Sequence, residues 1–171
     1  MQFKVLTSYD KDMIHTLEKW YNDPDILPYL HPNFTGEDLD PITPAEIRMM
    51  VRTKPNRKRY GIYDEKRWIG EVSILEGFDN LVATEPRTAW IGLCVGEKDY
   101  WRTGVGRQAM LFLEQEAKQL GFKRIELGVF EHNTKARKLY ENLGYKEIST
   151  LAKFTYYNGN WYDDIRMEKY I

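Results

Sequence analysis

The chain has 171 residues with 25 Lys and Arg against 26 Asp and Glu, a net charge of -1. That length suits one domain, and the balanced charge offers no basic excess for nucleic acid. A hydrophobic share of 42% without any apolar run near the ~20 residues of a membrane helix predicts a globular chain that binds neither nucleic acid nor membrane. Cys94 is the single cysteine, so no disulfide can form within the chain, which fits a cytoplasmic protein without a signal peptide.

In chain order, Phe3, Val5 and Leu6 predict a first strand. Ser8 or Asp10 can cap a helix carrying Met13, Ile14, Leu17, Trp20 and Tyr21. Pro24, Pro28, Pro32 and Gly36 make the next stretch irregular. Thr43 followed by Pro44 and Glu46 starts a helix reaching about residue 53. Residues 60–63 and 68–75 read as a hairpin, 77–86 as a loop and 88–95 as a strand. Val105, Ala109, Phe112, Leu113, Ala117 and Leu120 repeat at helical spacing, and Gly121 ends that helix. Residues 125–129 form a strand. Asn133 caps a helix with Ala136, Leu139, Tyr140 and Leu143 on one face, stopped by Gly144. Two closing strands, 145–150 and 161–170, flank a turn at Asn158 and Gly159. The order is mixed α and β in one domain spanning 1–171, with one right-handed strand–helix–strand crossover between parallel strands.

Two segments carry chemistry. Residues 93–106 read LCVGEKDYWRTGVG, a strand followed by a basic, glycine-bearing turn that opens a helix. Free N–H groups and partial positive charge at a helix start suit a pyrophosphate; Gly104 and Gly106 permit close approach, and Arg102 and Arg107 add charge. Residues 133–145 read NTKARKLYENLGY, with a tyrosine inside and a closing Gly–aromatic pair.

The run Y-W-R-T-G-V-G-R after a strand resembles the acetyl-CoA motif of the GNAT superfamily of N-acetyltransferases, and N-T-K-A-R-K-L-Y-E-N-L-G-Y resembles its second signature. The tail Y-N-G-N-W-Y-D-D-I-R-M is similar to the branch holding Rim-type, spermidine and aminoglycoside acetyltransferases. Trp101, Arg102 and Lys98 depart from the common pattern of that motif. The resemblance implies an α+β GNAT fold: a twisted, mixed, mostly antiparallel sheet of six to seven strands, helices on both faces and one splayed parallel pair. It implies acetyl-CoA as co-substrate, with no metal. Leu93, Cys94 and Val95 would hold the acetyl carbonyl and pantetheine by their main chain. Arg102, Thr103, Gly104, Val105, Gly106 and Arg107 would hold the pyrophosphate, and Asn133 would touch the pantetheine.

Tyr140 is the expected general acid, since a phenol of pKa ~10 can protonate a departing thiolate. The base stays open: Glu71 in the third strand is a catalytic candidate, Glu85 in the following loop a second, and a water chain a third. Cys94 is expected to be a core residue, and His15, His31 and His132 have no metal-ligand spacing.

Residues 20–47 contain six acids (Asp23, Asp25, Glu37, Asp38, Asp40 and Glu46) and no Lys or Arg. That segment borders the acceptor in the family, so a small cationic amine, a polyamine or aminoglycoside, is the expected partner. Trp20, Tyr21, Tyr29 and Phe34 are candidates either to wall the same pocket or to anchor the loop. Acetylation of a protein N-terminus and a non-catalytic acyl-CoA sensing module are the alternatives. The closing strand is long and aromatic enough to pair across a homodimer.

Overall fold

A computed structural model describes residues 1–171. The strands are β1 (Gln2–Val5), β2 (Arg57–Asp64), β3 (Arg67–Glu76), β4 (Thr88–Val95), β5 (Arg124–Phe130), β6 (Lys146–Tyr157) and β7 (Asn160–Tyr170). The helices are α1 (Lys11–Tyr21), α2 (Leu27–Leu30), α3 (Pro44–Met50), α4 (Val105–Gln119) and α5 (Thr134–Asn142). One seven-stranded sheet runs in the order β1-β2-β3-β4-β5-β7-β6, antiparallel throughout except for β4 beside β5. This is the mixed, mostly antiparallel sheet expected, with one parallel pair.

Local chemistry sets the helix starts. Asp10 accepts the Met13 N–H at 2.9 Å, and Thr43 with Glu46 forms a reciprocal capping box ahead of Pro44. α3 ends at Met50, three residues short of the expectation, with Val51 as its C-cap. The turn α2 was not anticipated: Pro28 sits in its first turn, where a missing N–H costs nothing.

Strand alternation sorts side chains onto two faces. Ile62, Val72, Ile74, Ala89, Ile91, Ile125, Leu127, Val129, Ile165 and Met167 point to α4, where Ala109, Met110, Leu113 and Ala117 complete the main core. α1 and α3 cover part of the opposite face through Ile14, Leu17, Trp20, Tyr21 and Ile47. Gly96 is required by this layer, because a Cβ there would lie 2.0 Å from the Trp20 ring. The rest of that face is strapped by the loop between β3 and β4. Val82 N–H bonds Glu126, while the carbonyls of Asn80 and Ala83 accept from Arg166 and Arg124.

The closing strand β7 lies between β5 and β6, so both its edges are already paired. The expectation that it pairs across a homodimer is therefore corrected. Only β1 and β6 offer a free edge for strand addition.

Candidate active site

The site is built where the sheet opens. β4 and β5 pair over three residues only: Thr88 with Arg124, Ala89 with Ile125 and Trp90 with Glu126. Beyond Trp90, β4 follows β3 while β5 follows β7 as far as Phe130 opposite Asp164. The end of β4 is fixed away from β5. The Gly96 and Glu97 N–H groups both donate to the Ile69 carbonyl, at 2.9 and 3.1 Å, and the Trp101 indole donates to the Val95 carbonyl at 2.8 Å. A V-shaped gap results, with its vertex at Trp90 and Glu126.

Backbone groups in an antiparallel strand alternate in direction. Gly96 bonds Ile69 across β3, and Cys94 and Gly92 keep the same register. Their main chains therefore face β3, while those of Leu93 and Val95 face the gap. Of the three residues expected to line it, Cys94 turns its backbone away. Its thiol is packed beneath α1, and burial, with the Glu71 carboxylate alongside, pushes its pKa well up. A thiol held protonated in this way is no nucleophile.

On the α4 face, the turn into α4 passes through Arg102 (φ 64°) and Gly104 (φ 92°). The first backbone bond of the helix is Gln108 N–H to the Gly104 carbonyl, and no side chain caps it. The N–H groups of Gly104, Val105, Gly106 and Arg107 have no partner within the chain. Arg102 and Arg107 are exposed and form no ion pair, while the Thr103 hydroxyl is committed to the Tyr100 carbonyl at 2.7 Å. The two glycines serve different ends. Gly104 opens onto free space, but a Cβ on Gly106 would lie 3.2 Å from Leu139, so Gly106 lets α4 approach α5.

That contact places α5. Asn133 caps it by accepting the Ala136 N–H at 3.3 Å. Tyr140 packs against the main core beside Tyr145, ring centroids 6.0 Å apart. It retains some surface exposure, yet enough protein surrounds the phenol for desolvation to raise its pKa to about 12.

Glu71 lies on the opposite face, under α1, and is 5% exposed. Its Oε1 accepts from Tyr21 at 2.8 Å and from Arg59 at 2.9 Å, and its Oε2 from Tyr9 at 3.0 Å. Three donors on one carboxylate describe a buried ion-pair hub. They leave neither oxygen without a partner. Glu85 is exposed and bonds Tyr170 at the far end of the sheet from the gap.

The acid-rich segment is partly spent on structure. Asp23 and Asp25 both bind Lys98, and Glu46 caps α3. Glu37, Asp38 and Asp40 form no ion pair, and Asp38 joins His31, Asn33 and Tyr156 around a cavity of about 350 Å³. Of the four aromatic candidates for pocket wall or loop anchor, Trp20 and Tyr21 are core. Trp20 bonds Glu97 at 2.8 Å and Tyr21 bonds Glu71. Tyr29 and Phe34 are exposed, stacked on His132 and edge-on to Phe154.

A sequence profile of the Acetyltransferase (GNAT) family matches residues 14–145. The chain belongs to this family. The splayed strands and paired motifs already described accord with that membership. Over 52 residues it is 44% identical to an uncharacterized N-acetyltransferase, YycN, of Bacillus subtilis, covering 30% of this chain and 33% of that one. A 57-residue match to the uncharacterized protein MJ1062 of Methanocaldococcus jannaschii is 32% identical and covers 33% of this chain but 12% of the other. The matched stretches thus span a third or less of these curated relatives. The fold is shared with spermidine N-acetyltransferase from Vibrio cholerae, solved with CoA and spermine (TM-score 0.78, 20% identity, 99% and 94% of the two chains). It is also shared with ribosomal-protein-alanine N-acetyltransferase from Brucella melitensis (TM-score 0.75, 17% identity, 100% of both chains). No helix of this GNAT family member is long and apolar enough to cross a membrane.

Residues that sequence reasoning missed in the GNAT site are the partners of Glu71 and a second buried acid, Asp164. Tyr9, Tyr21 and Arg59 lie 62, 50 and 12 residues from Glu71, so no local pattern announces them. The charged alternation Asp164–Arg166 in a closing strand was the one available signal for Asp164.

Proposed function

We propose that the protein is an acetyl-CoA-dependent N-acetyltransferase acting on the primary amine of a small cationic acceptor. The observation that carries this reading is the gap between β4 and β5, with the unpartnered N–H groups of α4 and the Tyr140 side chain on the α4 face of the sheet. The residues present fit the cofactor half of the reaction. Four free N–H groups and two unpaired arginines make an anion cradle. Leu93, by its N–H and carbonyl, and Val95, by its N–H, offer main-chain groups to an extended amide arm, as a neighbouring strand would; the Val95 carbonyl is held by Trp101. Asn133, at the start of α5, flanks the same arm.

Acetyl-CoA supplies an activated acyl group whose thiol leaves. In the transfer, the nitrogen–acyl carbon bond forms and the carbon–sulfur bond breaks. An ammonium loses two protons on the way to the amide, and the thiolate regains one. Tyr140 gives that proton. At about 12 its phenol stays protonated at neutral pH, but it is a weaker acid than a thiol near 8.5. Donation is therefore coupled to return of a proton from the amine side, directly or through water.

Asp38, unpaired and lining the cavity, supports a cationic acceptor, as does the fold shared with the spermidine enzyme. Thiol release from acetyl-CoA, measured with spermidine, kanamycin and an alanine-terminal peptide, tests the reading. Turnover with the amines and not the peptide is expected. Turnover with the peptide alone would establish the Rim-type reaction instead. Binding of acetyl-CoA without any transfer would leave a sensing module.

A further inference from the structure

Had the parallel ladder continued past Trp90 and Glu126, Gly92 would face Gly128. These are the first residues beyond the vertex on the face turned away from α4, and neither has a side chain. Both keep partial exposure, so the gap is open toward that face just beyond the strapped vertex. Over it hangs one carboxylate. A Cβ on Gly128 would lie 2.8 and 2.9 Å from the two oxygens of Asp164, and 3.1 Å from the Trp90 ring. Asp164 is 3% exposed. Its Oδ2 accepts from Arg166 Nε at 2.6 Å. Its Oδ1 accepts no hydrogen bond within the chain and is not among the atoms sealed from solvent. Arg166 is itself held by the Asn80 carbonyl at 2.9 Å and lies 4.8 Å from the Trp90 ring centroid, which fixes Oδ2 and leaves Oδ1 as the free oxygen.

The geometry points to Asp164 as the residue that receives the acceptor ammonium just beyond the vertex of the gap, through Oδ1, and takes its first proton. The inference rests on the transferase reading above. Tyr140 and Asp164 then reach the gap from opposite faces of the sheet. Asp164 takes one proton from the ammonium, leaving the nitrogen lone pair aimed at the acyl carbon. The second amine proton replaces the one that Tyr140 gives to the thiolate. The first leaves Asp164 to solvent after product departs, so each cycle releases one proton. Burial raises the Asp164 pKa, against the opposing pull of Arg166, which favours a carboxylate able to hold a proton. Glu71 has both oxygens bonded to side chains and no free one to meet an ammonium.

The test compares wild type with Asp164→Asn and Gly128→Ala in thiol release with spermidine, kanamycin and n-butylamine, with acetyl-CoA affinity measured by calorimetry. Asp164→Asn is expected to lower kcat/KM at least about 100-fold, the low end for a lost proton acceptor, with the acetyl-CoA Kd within about twofold. Asp164→Glu should recover part of that loss. Gly128→Ala displaces the carboxylate without changing its chemistry, and is expected to cost about tenfold in the folded variant; it also serves if Asp164→Asn does not fold. Wild-type turnover that stays within about threefold in Asp164→Asn, or in Gly128→Ala where the former is unfolded, overturns the inference alone. Wild type that binds acetyl-CoA but acetylates none of the three amines overturns the transferase reading, and this inference with it.

Discussion

At the scale of single residues, Glu71 and Asp164, both buried on the face turned away from α4, have opposite characters. Glu71 is locked into a hub by Arg59 and two phenols, with side-chain exposures of 6% for Glu71 and 13% for Arg59. Removing the charge while keeping the shape leaves Arg59 buried without a counter-ion. Glu71→Gln is therefore expected to lose about 3–5 kcal/mol of stability, read from the denaturant midpoint. Activity measured well below that midpoint should persist; a stable but inactive Glu71→Gln would instead return Glu71 to the chemistry. Asp164 keeps a free oxygen because Arg166 occupies the other one. The difference follows from packing partners contributed by distant parts of the chain, not from the residue type.

At the scale of elements, α4 must start bare. A conventional Ser or Asp cap would occupy N–H groups that here have no partner, and Gly104 at φ 92° supplies the turn without one. The double variant Arg102→Ala with Arg107→Ala is expected to weaken acetyl-CoA about tenfold, 1.4 kcal/mol, at low salt. The gap between variant and wild type should shrink near 1 M salt, where the Debye length falls to about 3 Å. A loss that ignores salt would argue for packing damage. α4 and α5 were legible in the sequence because apolar spacing, an Asn cap and terminal glycines all agree over nine to fifteen residues. β4 was legible to the residue. The turn α2 was not, because its four residues are too few to show a period and include a proline. A second feature of Gly106 was not legible: a Cβ there would lie 3.2 Å from Leu139 on another helix. The pairing of Gly92 with Gly128 across an unformed ladder was invisible, because it exists only once the register of β4 and β5 is known.

At the scale of the whole molecule, a single sheet carries two differently built faces, and the gap joins them. The α4 face is apolar core; the other face mixes a helical layer, buried ion pairs and a strapped loop. Burial makes that second face sensitive to acid. His31 is held below its usual pKa first by desolvation and then by Arg59. Its folded form resists protonation, while the unfolded chain accepts a proton near pH 6.5. The stability it contributes is complete above about pH 6.5 and falls as the pH drops from there toward the folded value. The denaturant midpoint should therefore drop between pH 7.5 and 5.5, and by less in His31→Asn. An equal drop in both would remove His31 from the account. The central claim is that the gap presents an acyl group held from one face to an amine arriving from the other, with Tyr140 protonating the leaving thiol. The most direct measurement is single-turnover transfer from bound acetyl-CoA to spermidine by wild type and Tyr140→Phe. The account predicts an unchanged acetyl-CoA Kd and transfer slowed by about 100-fold or more in the variant. Equal transfer rates in the two proteins would contradict it.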